Sequence, residues 1–128
     1  MTLTEQDIQG IVAAGLSSLD VDAKRVILIV PDSTRSCPID VVFPMIHAGL
    51  RERVAALDVL IALGTHQPMS EDAIYARMGI DAELHASRYQ DVRFYNHAWD
   101  DPEALMAVGS FSKAEILALT GGLFEMDV

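Results

Sequence analysis

The chain has 128 residues, 51% of them hydrophobic, with 19 acidic against 9 basic side chains and a formal net charge of −10. This length supports one domain with an ordinary core, the apolar share excludes disorder, and the acidic balance argues against nucleic acid and against an anionic membrane surface, both of which need clustered Lys and Arg. A single cysteine, Cys37, excludes an internal disulfide framework and a multi-cysteine metal site; with no leader-like N-terminus and no uncharged apolar stretch of membrane-spanning length, a soluble cytoplasmic protein is expected.

Thr4 can cap a first helix, with Glu5 and Asp7 in the first turn, where acids suit the helix dipole. Ile8, Ile11, Val12, Gly15, Leu16 and Leu19 then recur at helical spacing. After a polar link from Asp20 to Lys24, the unbroken, β-branched run Val26-Ile27-Leu28-Ile29-Val30 reads as a strand, starting at Arg25 and buried on both faces. It leads into Pro31-Asp32-Ser33-Thr34-Arg35-Ser36-Cys37-Pro38. Pro38 suits the first turn of a helix reaching about Val54, with Ile39, Val42, Phe43, Ile46 and Leu50 on one side and Pro44 as an internal kink. His47 reads as a partly exposed helix histidine, and Arg51 to Arg53 as a solvated end.

Leu57 to Leu63 is a second strand, parallel to the first because a helix joins them. It stops at Gly64-Thr65-His66-Gln67-Pro68; Ser70 caps a short helix and Gly79 stops it. Ile80 to Asp91, with His85 and Arg88, reads as solvated and irregular. Val92 to Tyr95 is a short third strand, followed by Asn96 and His97, for which a structural role in the turn is the favoured reading. Leu105 to Ser110 is a short extended piece or turn. Ser112 caps a last helix, Lys113 to Leu119, ended by Gly121-Gly122. The fold class is therefore α/β: a single domain over residues 1–128, with a small parallel sheet of three to four strands flanked by helices, a Rossmann-like three-layer lobe.

The strand–turn–helix pattern occurs twice, and two adjacent parallel strands end at the same sheet edge. Asp32 to Arg35 should therefore face Thr65 to Gln67 across a common rim, where α/β sheets bind ligands. His66 is the best catalytic candidate, because an imidazole titrates near neutral pH; on the residues alone it could equally do no more than hydrogen-bond a turn. Asp32 can orient an imidazole, hold a ligand hydroxyl or cap the next helix. Arg35 can grip a carboxylate or phosphate bidentately, or pair with one of the many acids. Thr34 stands where an aspartyl nucleophile of the haloacid-dehalogenase type needs a second acid, and the first turn lacks the glycines and Lys of a P-loop. No histidine pair has helical i, i+4 spacing for zinc, and Cys37 has no base beside it in sequence.

Three motifs, Asp32-Ser33-Thr34-Arg35-x-x-Pro38, Gly64-Thr65-His66-Gln67-Pro68-Met69-Ser70-Glu71 and Asn96-His97-x-x-Asp100-Asp101-Pro102, resemble the N-terminal part of the lactate racemase family in order and spacing. Ala114-Glu115-Ile116 and Gly121-Gly122 resemble its following segment. The resemblance implies a nickel-pincer nucleotide cofactor and isomerisation of a small 2-hydroxy acid: a hydride moves from the substrate Cα to the pincer ring and back to the other face while a histidine deprotonates the hydroxyl. By motif match, His66 would be one of two such acid/bases, Arg35 would hold the substrate carboxylate, Asp32 would support the pocket, and Thr34, Gly64 and Thr65 would face the cofactor. Gln67 stands where the family commonly has Arg, which changes anion binding there. The family's cofactor-bearing lysine, second catalytic histidine and nickel-ligating histidine lie beyond the matched region, and Lys113 lacks the matching glycine-rich context, so no metal ligand is expected here. The chain reads as an N-terminal lobe without the C-terminal lobe, inactive alone, with dimerisation as another way to cover its cleft-facing edge. The rival reading is a non-catalytic small-molecule-binding or assembly module that keeps the fold.

Overall fold

Local chemistry sets most boundaries in the computed structural model, which describes residues 3–128; Met1 and Thr2 lie outside the described residues. Helix α1 spans Glu5–Ser17, and Thr4 and Asp7 close a reciprocal capping box at its start. Strand β1, Arg25–Pro31, is followed by α2, Ile39–Leu50, which begins after Pro38 and contains Pro44. Strand β2 is Ala56–Ala62, and α3 is Glu71–Met78, capped by Ser70 and ended by Gly79 at φ +70°. Helix α4 is Ala82–Arg88, capped by Asp81, and β3 is Arg93–Asn96. Helix α5, Lys113–Leu119, opens with a second capping box, Ser112 with Glu115. The chain divides into two compact units, one ending at His97 and the other Ala98–Val128. In the second unit, Phe111 and Val128 exchange backbone hydrogen bonds at 2.6 and 3.0 Å around α5.

The sheet has three strands, all parallel, in the order β1-β2-β3, as expected for this α/β class. Register puts Pro31 beside Ala62, so the segments after β1 and β2 leave the sheet side by side. Leu28, Val59 and Phe94 share one face. There, the Phe94 ring meets Phe43 of α2, Tyr75 of α3 and His85 of α4 at 5.9, 5.9 and 5.6 Å. Val59, Ile61, Leu63, Phe43, Met78 and Tyr89 are fully buried in this core.

The opposite face corrects the expectation that β1 is buried on both sides. Ile27 and Ile29 are 54% and 62% exposed, and Tyr95 in register with Ile29 and Leu60 is 42% exposed. The face that a third layer would cover is thus open in this unit. An apolar run reports that a strand can be covered, and cannot report whether the covering helix lies in the same stretch of chain. Asp58, which interrupts the β2 run, lies on this open face, where Arg93 donates to it at 3.1 Å.

Three further expectations are corrected. The segment 82–88 is helical, and His85 is half-buried, stacked on Tyr75 at 4.9 Å, with Nε2 3.1 Å from the Val92 carbonyl. Arg53 is no solvated terminus: its guanidinium donates to the Leu16 and Leu19 carbonyls at 2.8 and 3.0 Å and to Asp22 at 2.7 Å. It therefore ties the C-terminal end of α1 and the link that follows it to the segment after α2. Arg53→Ala is expected to lower unfolding stability by about 2 kcal/mol, because charge-assisted bonds are lost together, as chemical denaturation would measure.

His47 is buried rather than partly exposed, and neither ring nitrogen has a hydrogen-bond partner. The nearest carboxylate oxygen, on Asp91, stands 3.9 Å from Nε2, beyond bonding distance. Burial pushes its pKa below the ordinary histidine value, outweighing the opposing pull of Asp91. The unfolded chain then takes up this proton before the folded one does, so stability should fall as pH drops below about 6.5. His47→Leu is expected to remove that slope and to raise stability by about 1 kcal/mol, since an unsatisfied buried polar ring is replaced by an apolar side chain. Denaturation midpoints at pH 5.5 and 7.5 would check both effects.

Candidate functional site

The site forms where β1 and β2 end. Because the strands are parallel and neighbouring, their C-terminal loops emerge together: Asp32 follows the last residue of β1, and His66 sits on the turn after β2. In that turn the His66 N–H donates to the Leu63 carbonyl at 3.0 Å, and Gly64 adopts φ +62°, a left-handed conformation that side chains disfavour.

Asp32 is the buried centre of the arrangement. Its Oδ1 accepts from the Thr34 hydroxyl at 2.6 Å and from the Thr34 N–H at 3.1 Å, an Asx turn closed twice over. Its Oδ2 lies 2.6 Å from His66 Nδ1. The Thr34 hydroxyl foremost, and then His66, hold the carboxyl down at about 2, against the opposing effect of burial. Asp32 is therefore ionised at neutral pH and can only accept. It follows that His66 Nδ1 carries the hydrogen, and that neutral His66 keeps its basic lone pair on Nε2.

An open cavity of about 500 Å³ is lined by Asp32, Arg35, Gly64, Thr65 and His66, together with Ala62 and Leu63. Both loops thus meet at one rim, as the parallel-strand argument requires. Arg35 is exposed, and so is the His66 side chain, at 52%. Thr34 is exposed and does not line the cavity; its hydroxyl hydrogen is committed to the Asp32 carboxylate. Cys37 is half-buried. The His97 N–H continues the sheet ladder to the Ile61 carbonyl at 3.0 Å, and the Asn96 side-chain amide clasps both backbone groups of Met69, at 3.0 and 2.9 Å, which fixes the link from His66 into α3.

A separate cavity of about 460 Å³ runs along β3, lined by Tyr75, His85, Phe94 and Asn96 among others. It contains none of the residues singled out for chemistry. Its Tyr75 hydroxyl, pushed up to about 12 mainly by its bond to Glu71, stays protonated. Arg77, in the last turn of α3, reaches the first site from behind, donating to the Arg35 carbonyl at 2.9 Å. Nothing in the sequence marks it, since a cation in a last helical turn is what the helix dipole alone would favour.

The family model for the lactate racemase N-terminal domain matches residues 5–128. The chain belongs to the lactate racemase family. It is matched there through its N-terminal domain, and the three sequence motifs fall within the matched residues. No curated protein matches the sequence. A crystal structure of a protein from Thermotoga maritima is similar, with a TM-score of 0.80 at 27% identity; the match covers 98% of this chain and 29% of that one. The lactate racemase N-terminal domain described here thus spans less than a third of the length of the structure it matches.

Among the described residues, no group of three or more His, Cys, Asp or Glu side chains could hold a metal ion. The described residues therefore do not fit a nickel centre by themselves. No helix among the described residues is long and apolar enough to cross a membrane.

Proposed function

We propose that this domain is the substrate- and cofactor-facing N-terminal lobe of a nickel-pincer-dependent 2-hydroxyacid racemase or epimerase, and that it contributes one acid/base and one carboxylate anchor. The observation that carries the reading is the Asp32–His66 pair, 2.6 Å apart, in a cavity that Arg35 also lines. A 2-hydroxy acid places a carboxylate and a hydroxyl on adjacent carbons. A site for it needs an anion clamp and a proton acceptor within one small cavity.

In this reading Arg35 takes the carboxylate through paired N–H donors. The nickel-pincer cofactor, when bound, would supply the acceptor for the Cα hydride; His66 Nε2 would take up the hydroxyl proton, and Asp32 would stabilise the imidazolium that forms while holding the ring in the useful tautomer. Gly64 and Thr65 are assigned to the nucleotide cofactor, because they place exposed backbone and a hydroxyl on the cavity wall. Thr34 supports Asp32, with its hydroxyl as donor. The second acid/base and the metal ligands belong, in this reading, to a C-terminal lobe, and the lobe alone does not racemise its substrate. Either that lobe or a second copy covers the cleft edge. A cytoplasmic location fits a small soluble substrate.

The test is a racemisation assay on the natural gene product with single enantiomers of small 2-hydroxy acids, together with elemental analysis for nickel. Interconversion accompanied by bound nickel is expected. A natural product that contains nickel and the cofactor yet leaves every 2-hydroxy acid unchanged would overturn the reading in favour of a binding module.

A further inference from the structure

We infer that Arg77 is a positioning residue for the carboxylate anchor: it sets where Arg35 stands relative to His66 without touching substrate. The kinetic part of this inference rests on the proposed function; the structural part does not.

Helix α3 spans the two halves of the site. At its start, the turn bearing His66 runs through Gln67 to Met69, where Asn96 holds both backbone groups of Met69, and Ser70 then caps the helix. At its end, Arg77 Nη2 donates to the Arg35 carbonyl at 2.9 Å, and Nε lies 3.5 Å from the Pro31 carbonyl. The next turn docks on α2: a Cβ on Gly79 would come within 2.9 Å of the Asp40 carbonyl oxygen, so backbone meets backbone there. One rigid helix therefore fixes the His66 turn at one end and the Pro31–Arg35 loop at the other.

The two tethers on that loop act on different residues. Asp32 is held by the strand end, by Thr34 and by His66. The Arg35 N–H bond within the loop, to the Asp32 carbonyl, is long at 3.4 Å, so the short Arg77 bond governs the Arg35 backbone. A guanidinium on an untethered backbone must be ordered each time it takes a carboxylate, which weakens binding. The Asp32–His66 pair keeps its own anchors, so proton transfer should be spared.

The experiment compares Arg77→Met and Arg77→Lys in the natural gene product. For Arg77→Met, KM for the 2-hydroxy acid is expected to rise about tenfold with kcat held within about twofold, and Arg77→Lys, which can still donate to one carbonyl, should recover most of the loss. Amide hydrogen exchange at Ser33 to Cys37 should quicken in Arg77→Met and return in Arg77→Lys, while the Nδ1–H signal of His66 in NMR stays unchanged. An unaltered KM with unaltered exchange would overturn the inference, as would a fall in kcat without change in KM. A wild type with no racemase activity would sink the proposed function alone; the exchange comparison would then decide the role of Arg77, supporting it if exchange quickens and refuting it if not.

Discussion

His66→Ala is expected to lower turnover of the natural gene product by roughly 10²- to 10⁴-fold, the range that a positioned acid/base contributes, with substrate affinity little changed. Asp32 is ionised and already accepts from Thr34, so a hydrogen on His66 Nδ1 is the only arrangement that makes the 2.6 Å contact attractive. The basic nitrogen is then Nε2, and in the proposed function removing the ring removes the acceptor of the hydroxyl proton. The anion clamp proposed at Arg35 survives in this variant, so loss in kcat rather than in KM is the expected signature. A variant with full turnover at matched cofactor loading would refute the assignment. His66 lies on an exposed turn, so the fold should be kept, which thermal denaturation would check.

Asp32→Asn has the second large effect, and it separates chemistry from stability. An asparagine amide can donate to Nδ1, which moves the ring hydrogen to Nε2 and leaves the wrong nitrogen basic; a fall in kcat of about 10²-fold or more is expected. The stability consequence runs through pH. The folded-state pKa of Asp32, about 2, lies below its ordinary value of 3.8, so the unfolded chain takes up the proton first as pH falls. Stability owed to this carboxylate is complete above about pH 4 and is lost as pH falls toward 2. Asp32→Asn should flatten the acid limb of a stability–pH curve between those values while leaving the His47-linked decline below about pH 6.5 in place. Superimposable acid limbs for variant and wild type would show that the Thr34 and His66 bonds do not hold Asp32 ionised.

The site was largely legible because its logic is topological. Two apolar runs joined by a helix must lie parallel, parallel neighbours end at one edge, and the polar residues after each run must meet there; Asp32, Arg35 and His66 follow from that alone. Family motifs then gave the meeting a chemistry. Residues whose role depends on what packs against them are not legible from local pattern. His47, on the largely apolar α2, and His85, in a polar stretch, are covered by Tyr89 and Tyr75, each contributed by another segment. Arg53 looks like any cation at a helix end until its guanidinium is seen on the Leu16 and Leu19 carbonyls, more than thirty residues earlier.

Capping residues, turn glycines and apolar periodicity are properties of neighbouring residues, and so the order of strands and helices, their parallel pairing and the shared rim were determined by the sequence itself. Only the tertiary structure decided which face of the sheet is covered, that Thr34 faces Asp32 rather than the cavity, and that Arg77 reaches the Arg35 carbonyl. Those outcomes turn on distances between segments far apart in the chain, which local spacing does not encode.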